Sequence, residues 1–444
     1  MTTATTATTR ATTRARPADP PPGAGSSAMD ERIDVVVVGG GVIGLCTALS
    51  LVEAGRSVRL LEARTLGSGS SHGNCGTLTP SHAFPLAAPG TIGRALRWML
   101  TPDAPFYVAP RLDPRLWQWL LGFASRCNAR DWQTAMTAKA GLLNDSIQVF
   151  PDWVARHAPG SEFSQEGTDY VFRDARELEI AARDLPHLAE LGVHGRLIDG
   201  AEYERQDPAF KPGLKGALHF PGDAHLRPDR YVSGMADALR ALGGVIDEGW
   251  DVTAIDEDAD GVVVHGSRGT VRAREVVLAT GAWSTTLMRS AGLRAVPVQP
   301  GKGYSITYDR PALVPKRPVI LHEPSVCVTV WDSGYRLGST MEMSGYSTDL
   351  NPRRLRALER GAAEFLHDPV GPVKREEWYG WRPLSVDDVP IIGRVPGRRR
   401  TWVATGHGMM GVSMSPATGQ LLADLITGTA PRIDPAAYSP ERFR

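Results

Sequence analysis

The sequence predicts a mixed α/β protein: a discontinuous βαβ nucleotide-binding domain joined to a second domain on a mostly antiparallel sheet. Three observations predict it. Residues 35–38 are a continuous β-branched run, of the kind buried on both faces of a parallel sheet. They lead into Gly39-x-Gly41-x-x-Gly44 and a segment with helical apolar spacing (Leu45, Leu49, Leu51, Val52) that ends at Gly55. Farther on, strands at 303–308, 326–330 and 335–338 alternate apolar and polar residues, the pattern of an antiparallel sheet with one face in water.

The glycines of the first cluster serve three physical ends, namely a tight turn, close approach of backbone to a pyrophosphate, and close packing of helix on strand. The helix N-terminus presents unpaired N–H groups and partial positive charge to the phosphates. A second strand, 57–62, ends in Glu62, about 20 residues on, where a ribose-binding carboxylate is expected. An incidental Gly-rich turn is the alternative, but it does not account for strand, glycines, helix and terminal acid in register.

The chain has 444 residues, enough for two domains. Its 42% hydrophobic and 22% charged residues are those of a soluble globular protein, and zero formal net charge argues against nucleic acid as a partner. No apolar run approaches the ~18 residues of a membrane span. The basic cluster Arg394/Arg398–Arg400 reads as a solvated turn, with peripheral membrane contact as the alternative. Cys46, Cys75, Cys127 and Cys327 are scattered without metal-site or disulfide-framework spacing, so no metal is expected and a reducing, cytoplasmic location fits. Residues 1–28, Thr/Ala repeats and a Pro-rich patch, read as a disordered tail or as sequence upstream of a working start at Met29.

Along the chain, the Gly/Ser-rich loop 67–76 allows backbone to lie against a flat ligand. Residues 91–160 read as helical, with Leu96, Met99, Leu100, Trp117, Leu120, Leu121 and Phe123 as core stripes. A strand at 168–172, an amphipathic helix at 175–191 and a helix from Pro228 to the Gly243-Gly244 stop follow. Next come strands at 245–246 and 252–255, a hairpin at 261–264 and 270–272, and a separate buried strand at 275–283. A helix at 352–366 precedes a final unit, 378–428. The expected division is 29–90 with 199–290 and 380–436 for the nucleotide-binding domain, and 91–198 with 291–379 for the substrate domain.

Residues 401–405 form a strand, and Gly406-His-Gly-Met-Met-Gly411 precedes a helix around 417–425. The spacing repeats Gly-x-Gly-x-x-Gly, but no second strand with a terminal acid follows. A helix N-terminus aimed at the electron-rich edge of a flavin ring is the better reading.

These motifs now carry a resemblance. Residues 35–62, Ala279-Thr-Gly-Ala282, Lys302-Gly-Tyr-Ser305, Trp378-x-Gly-x-Arg-Pro-x-Ser-x-Asp387 with Pro390-x-x-Gly393, and Gly406-His-Gly408 through Ser415-Pro-Ala-Thr-Gly419 resemble the D-amino-acid oxidase superfamily of FAD amine oxidoreductases. The match runs in order over nearly all of 33–428. Residues 70–76 and 302–305 are similar to the small subunit of bacterial D-amino-acid dehydrogenases, and 415–419 to glycine oxidase.

The resemblance implies an FAD-binding Rossmann-like domain. It also implies oxidative deamination of an amino acid, D-amino acids foremost, to a 2-oxo acid. Hydride would pass to flavin N5 and electrons onward to a quinone-type acceptor, which leaves room for a peripheral contact at the inner face of the membrane. The alternative is an oxygen-using oxidase of glycine, sarcosine or a cyclic imino acid such as proline or hydroxyproline. Gly39, Gly41, Val42, Ile43, Gly44, Glu62 and Ala63 would hold the ADP half of FAD, with Val252 near the adenine. Ser70, Ser71, Asn74 and Gly76 would lie along the pyrophosphate and ring. Thr280, Gly281, Trp283, Gly408, Met409, Met410 and Gly411 would complete the pocket. Residues 383–387 lack the cysteine that links flavin near the Arg-Pro motif of some sarcosine oxidases, so FAD is expected to be non-covalent.

Amino-acid oxidation needs a fixed carboxylate, which the planar fork of arginine binds through both oxygens. Arg382 and Arg336 are the candidates; a structural ion pair is the other reading of Arg382, and a solvated strand face that of Arg336. Tyr304 adds a hydroxyl to the carboxylate or is a half-buried strand tyrosine. His407 contacts flavin or substrate, or is a hydrogen-bonded structural histidine. His72 and His225 are weaker candidates. No side-chain base is required if the amine arrives deprotonated.

Overall fold

The computed structural model describes residues 1–2, 33–93, 106–109 and 111–443. The expected tail beyond residue 2, and Leu96, Met99 and Leu100, lie outside them.

The β-branched run becomes the strand Ile33–Val38, whose last four residues are at most 4% exposed. It lies parallel to Val58–Glu62 on one side and to Gly269–Leu278 on the other. Val245–Glu248 and Thr401–Thr405 extend this parallel layer. The helix Val42–Glu53 leaves from Gly41 and is buried almost all round, because the helix Ser415–Thr427 crosses over it. A Cβ at Gly419 would meet the Cys46 backbone at 2.6 Å, so the crossing requires glycine. A helix covered on both sides has no polar face to show, and its sequence has almost none.

The second sheet has ten strands centred on Val298–Tyr308, which pairs antiparallel with Lys374–Ser385 along one edge and with Gly334–Gly338 along the other. The antiparallel pairing is as expected, but the solvated face is not. Val298–Tyr308, Val326–Trp331 and Gly334–Gly338 are buried at every residue. The helix Pro352–Phe365 covers one face, packing Leu355, Leu358 and Phe365 against Ile306, Val328 and Leu337. The alternating polar residues face protein: Ser305 donates to the Gly73 carbonyl at 2.8 Å, so loop 67–76 stands where water was expected.

Three further expectations are corrected. The hairpin arm and the buried strand after it are one strand, Gly269–Leu278; its first half pairs with Val262–Gly266 and its second enters the parallel layer. The helix expected at 175–191 is two, Ala175–Ala182 and Leu185–Glu190, because Pro186 has no N–H to continue the first. In the helix Pro114–Arg126, Leu116 and Trp119 are buried, whereas Trp117 (57% exposed) and Leu121 (71%) face outward rather than into the core.

Every strand of the first sheet comes from 29–90, 199–290 or 380–436. The strand Gly216–Phe220, also within 199–290, pairs instead with Thr168–Phe172 in the second sheet. The basic turn is held locally: Arg394 lies over Trp402, and Glu257 accepts from the Arg399 and Arg400 amides. Among the described residues, no helix is long and apolar enough to cross a membrane.

Candidate active site

A cavity of about 830 Å³ runs from the first Gly cluster to the second sheet, near the upper end of the ~300–1,000 Å³ typical of small-molecule sites. Its near end is the expected cradle. Gly39 has φ +110° and abuts the Ala279 carbonyl, a conformation and an approach that only glycine permits. Glu62 stands at the rim, with Oε2 accepting from the Gly40 amide at 2.7 Å and Oε1 from the Arg64 amide at 2.9 Å. A carboxylate has about four acceptor positions, so two backbone bonds orient it and leave capacity for ligand hydroxyls. Ser71 Oγ accepts from the Val42 amide at 3.2 Å, tying loop 67–76 to the helix N-terminus.

Gly39, Gly41, Val42, Ile43, Glu62, Ala63, Ser70, Ser71, Asn74, Val252, Thr280, Gly281 and Trp283 all line this cavity, as do Gly408, Met409, Met410 and Gly411. Gly44 and Gly76 do not. They are packing positions, where a Cβ would overlap the carbonyl oxygens of Gly39 and Leu226 respectively.

The far end rests on a row of residues in register across the second sheet. Tyr170 pairs with Ile320, Ile320 with Cys327, Cys327 with Gly338, Gly338 with Ser305, and Ser305 with Trp378. Tyr170, Ile320, Cys327 and Trp378 line the cavity. Gly338 leaves room for Cys75, whose Sγ would meet a Cβ there at 2.5 Å. The scattered cysteines are therefore not all apart: Cys75 and Cys327 are free thiols that influence each other's ionisation. That interaction, with help from Arg336 and Arg382, lowers the Cys75 thiol, while the same interaction and burial raise Cys327.

The two arginines are placed differently. Arg382 is on the cavity wall, flat against Gly303, where a Cβ would meet its guanidinium carbon at 2.5 Å. It donates to the Thr340 carbonyl at 2.6 Å and, among the described residues, has no carboxylate within ion-pair distance. Burial lowers its pKa, with the two thiols opposing. Arg336 does not reach the cavity. It is 1% exposed; Nε donates to Thr307 Oγ1 at 2.9 Å, and Nη1 to the carbonyls of His72 at 3.1 Å and Asn74 at 2.7 Å. In place of the solvated strand face that was its other reading, Arg336 clamps loop 67–76.

Tyr304 borders the cavity, but its hydroxyl is directed to Glu342 Oε2 at 3.3 Å, and its ring belongs to the cluster under the Pro352–Phe365 helix. His407 is 4% exposed on the wall, with Nε2 3.0 Å from Thr418 Oγ1 and Nδ1 without a partner among the described residues. Burial lowers its pKa to about 3, so the ring is neutral. His72 pairs with Glu376 at 2.8 Å. His225 is buried, and burial lowers its pKa. Trp378 and Trp381 stood unselected within a motif, whereas Tyr170, Ile320 and Cys327 carry no local signal and are assembled by register alone.

A cavity that starts at a nucleotide cradle and ends at an arginine without a counter-ion among the described residues suits an enzyme carrying a dinucleotide redox cofactor. Residues 34–425 match the FAD dependent oxidoreductase family, and the chain belongs to it. Two curated relatives, both D-amino acid dehydrogenases of Cereibacter sphaeroides strains, are 31% identical over 92% of this chain and 95% of their own. Among solved structures, glycine oxidase from Geobacillus kaustophilus superposes with a TM-score of 0.74 at 24% identity, covering 92% of this chain and 98% of that one. L-proline dehydrogenase from P. horikoshii gives 0.69 at 20%, covering 94% and 98%. The protein is an FAD-dependent oxidoreductase. Its residues fit that cofactor: glycines stand where a Cβ would fill the cradle, and His407, whose buried Nδ1 has no partner among the described residues, lines the cavity.

Proposed function

We propose that the protein oxidises an amino acid, D-amino acids foremost, to the imine and thence by hydrolysis to the 2-oxo acid, with electrons passed to a quinone-type acceptor. The observation that carries this reading is Arg382, a guanidinium on the cavity wall whose fork has, among the described residues, one carbonyl partner and no anion. An enclosed cation without a counter-charge is costly, and a substrate carboxylate removes that cost while fixing the substrate's orientation. The curated relatives' activity supports amino acids as the substrate class.

FAD, when bound non-covalently between the cradle and His407, supplies the two-electron acceptor. This chain's residues do the rest. Arg382 holds the carboxylate, Gly303 lets the guanidinium lie flat, and Arg336 steadies the loop that closes the site. Trp378 and Trp381 keep water from the reacting carbon. Neutral His407 offers a hydrogen bond without a charge.

The test is an anaerobic panel of D- and L-amino acids and imino acids scored by bleaching of the flavin absorbance. Bleaching by a subset, absent with the matching decarboxylated amines, is expected; no bleaching by any of them overturns the reading. Dye reduction faster than oxygen uptake on the same substrate is expected of a dehydrogenase. Acid precipitation should leave the yellow colour in the supernatant.

A further inference from the structure

Resting on that reading, we propose that Tyr170, Ser81 and Asp223 form a proton path from the substrate end of the cavity, which converts the bound ammonium to the amine before oxidation. The Cα–H bond yields its electron pair readily only when the neighbouring nitrogen has a free lone pair, so an ammonium must lose a proton first.

Tyr170 borders the cavity, and its hydroxyl lies 3.2 Å from Ser81 Oγ. Ser81 Oγ donates to Asp223 Oδ2 at 2.6 Å, and the Ser81 amide donates to Oδ1 at 3.2 Å. Neither Ser81 nor Asp223 lines the cavity; they are 4% and 1% exposed. The chain therefore leads inward from the ligand to a carboxyl that has no cationic partner among the described residues. A carboxyl so placed exchanges a proton near neutrality: burial pushes Asp223 up to about 7.

The groups around it favour this. Asp169, on the Tyr170 strand, repels a charge on Asp223 and is itself held by His219 at 2.7 Å and Arg317 at 3.4 Å. His225, on the strand after Asp223, is buried, and burial lowers its pKa. His82 Nδ1 is also within 3.3 Å of the Tyr170 hydroxyl, but burial, and then Lys139, lower its pKa to about 4. Lys139 is taken by Asp388 at 2.6 Å. Only the Ser81 branch ends on a group that can hold a proton at neutral pH.

The step balances. One proton passes from the substrate nitrogen to the Tyr170 oxygen as the tyrosine's own passes to Ser81 and the serine's to Asp223. Ammonium and carboxylate become amine and carboxylic acid, and no electron moves. Asp223 acts through the other two and is a positioning residue.

The experiment measures anaerobic flavin bleaching by the best amino acid of the panel, from pH 6 to 10, for wild type, Asp223→Asn, Ser81→Ala and Tyr170→Phe, each checked for flavin content. Wild type should rise through a break near pH 7. The variants should be about 100-fold slower at pH 7, a typical share for positioned proton transfer, and converge on wild type above the substrate ammonium's own pKa. Rates equal to wild type at pH 7, or lowered by the same factor at every pH, overturn the path. No bleaching of wild type overturns the functional reading with it.

Discussion

Replacing Arg382 by methionine keeps much of the side-chain bulk and removes the charge. The guanidinium has five N–H donors, of which the structure commits one to the Thr340 carbonyl at 2.6 Å, so a two-point bond to a carboxylate remains open. Hydrogen bonds to charged groups contribute roughly 1.5–3 kcal/mol each. Two of them give about 3–6 kcal/mol, a ~10²–10⁴-fold loss in kcat/KM. Because the carboxylate is held alike before and during oxidation, most of the loss should appear in KM. The assay is steady-state dye reduction with an amino acid and with its decarboxylated amine, on protein of matched flavin content. Preference for the acid should collapse in Arg382→Met. An unchanged KM, with flavin retained, refutes the anchor; a KM effect from Arg336→Met instead would transfer the role.

Three other outcomes are expected. Gly303→Ala places a methyl where the Arg382 guanidinium lies, so KM should rise severalfold while the melting temperature stays near wild type, because a flexible tip yields more easily than backbone. Lys139→Met strands the Asp388 carboxylate, now 2.6 Å from Nζ and bonded to the Leu86 amide at 2.9 Å; urea unfolding should show a loss of about 3–5 kcal/mol, partly recovered by adding Asp388→Asn. His407 is neutral in the fold, lowered by burial to about 3, yet takes up a proton near 6.5 when unfolded. The unfolded state therefore binds more protons between those values, and stability falls as pH drops from 6.5 toward 3. His407→Gln should reduce that slope by up to ~1.4 kcal/mol per pH unit in unfolding titrations at pH 6 and 5.

The nucleotide cradle was legible because its parts are contiguous: residues 35–62 hold the strand, glycines, helix and terminal carboxylate, and local spacing alone aligns them. Arg382 was legible for a similar reason, as one position in a dense motif. Its lack of an anion was not, since the absence of a partner is a property of everything around it. Arg336 was the other arginine candidate and Tyr304 an added hydroxyl, but a strand residue's role depends on what covers its face, and loop 67–76 and the helix Pro352–Phe365 claim theirs.

By itself the sequence determined a dinucleotide cradle, the antiparallel partner sheet and an arginine suited to a carboxylate, because each is written in neighbours along the chain. Tertiary structure decided the far end of the cavity, where the substrate is proposed to bind. Tyr170, Ile320, Cys327 and Gly338 meet through strand register, and Ser81 meets Asp223 across 142 positions. A one-residue slip in any of those ladders would turn the row to the other face, and nothing in local periodicity specifies which rung opposes which.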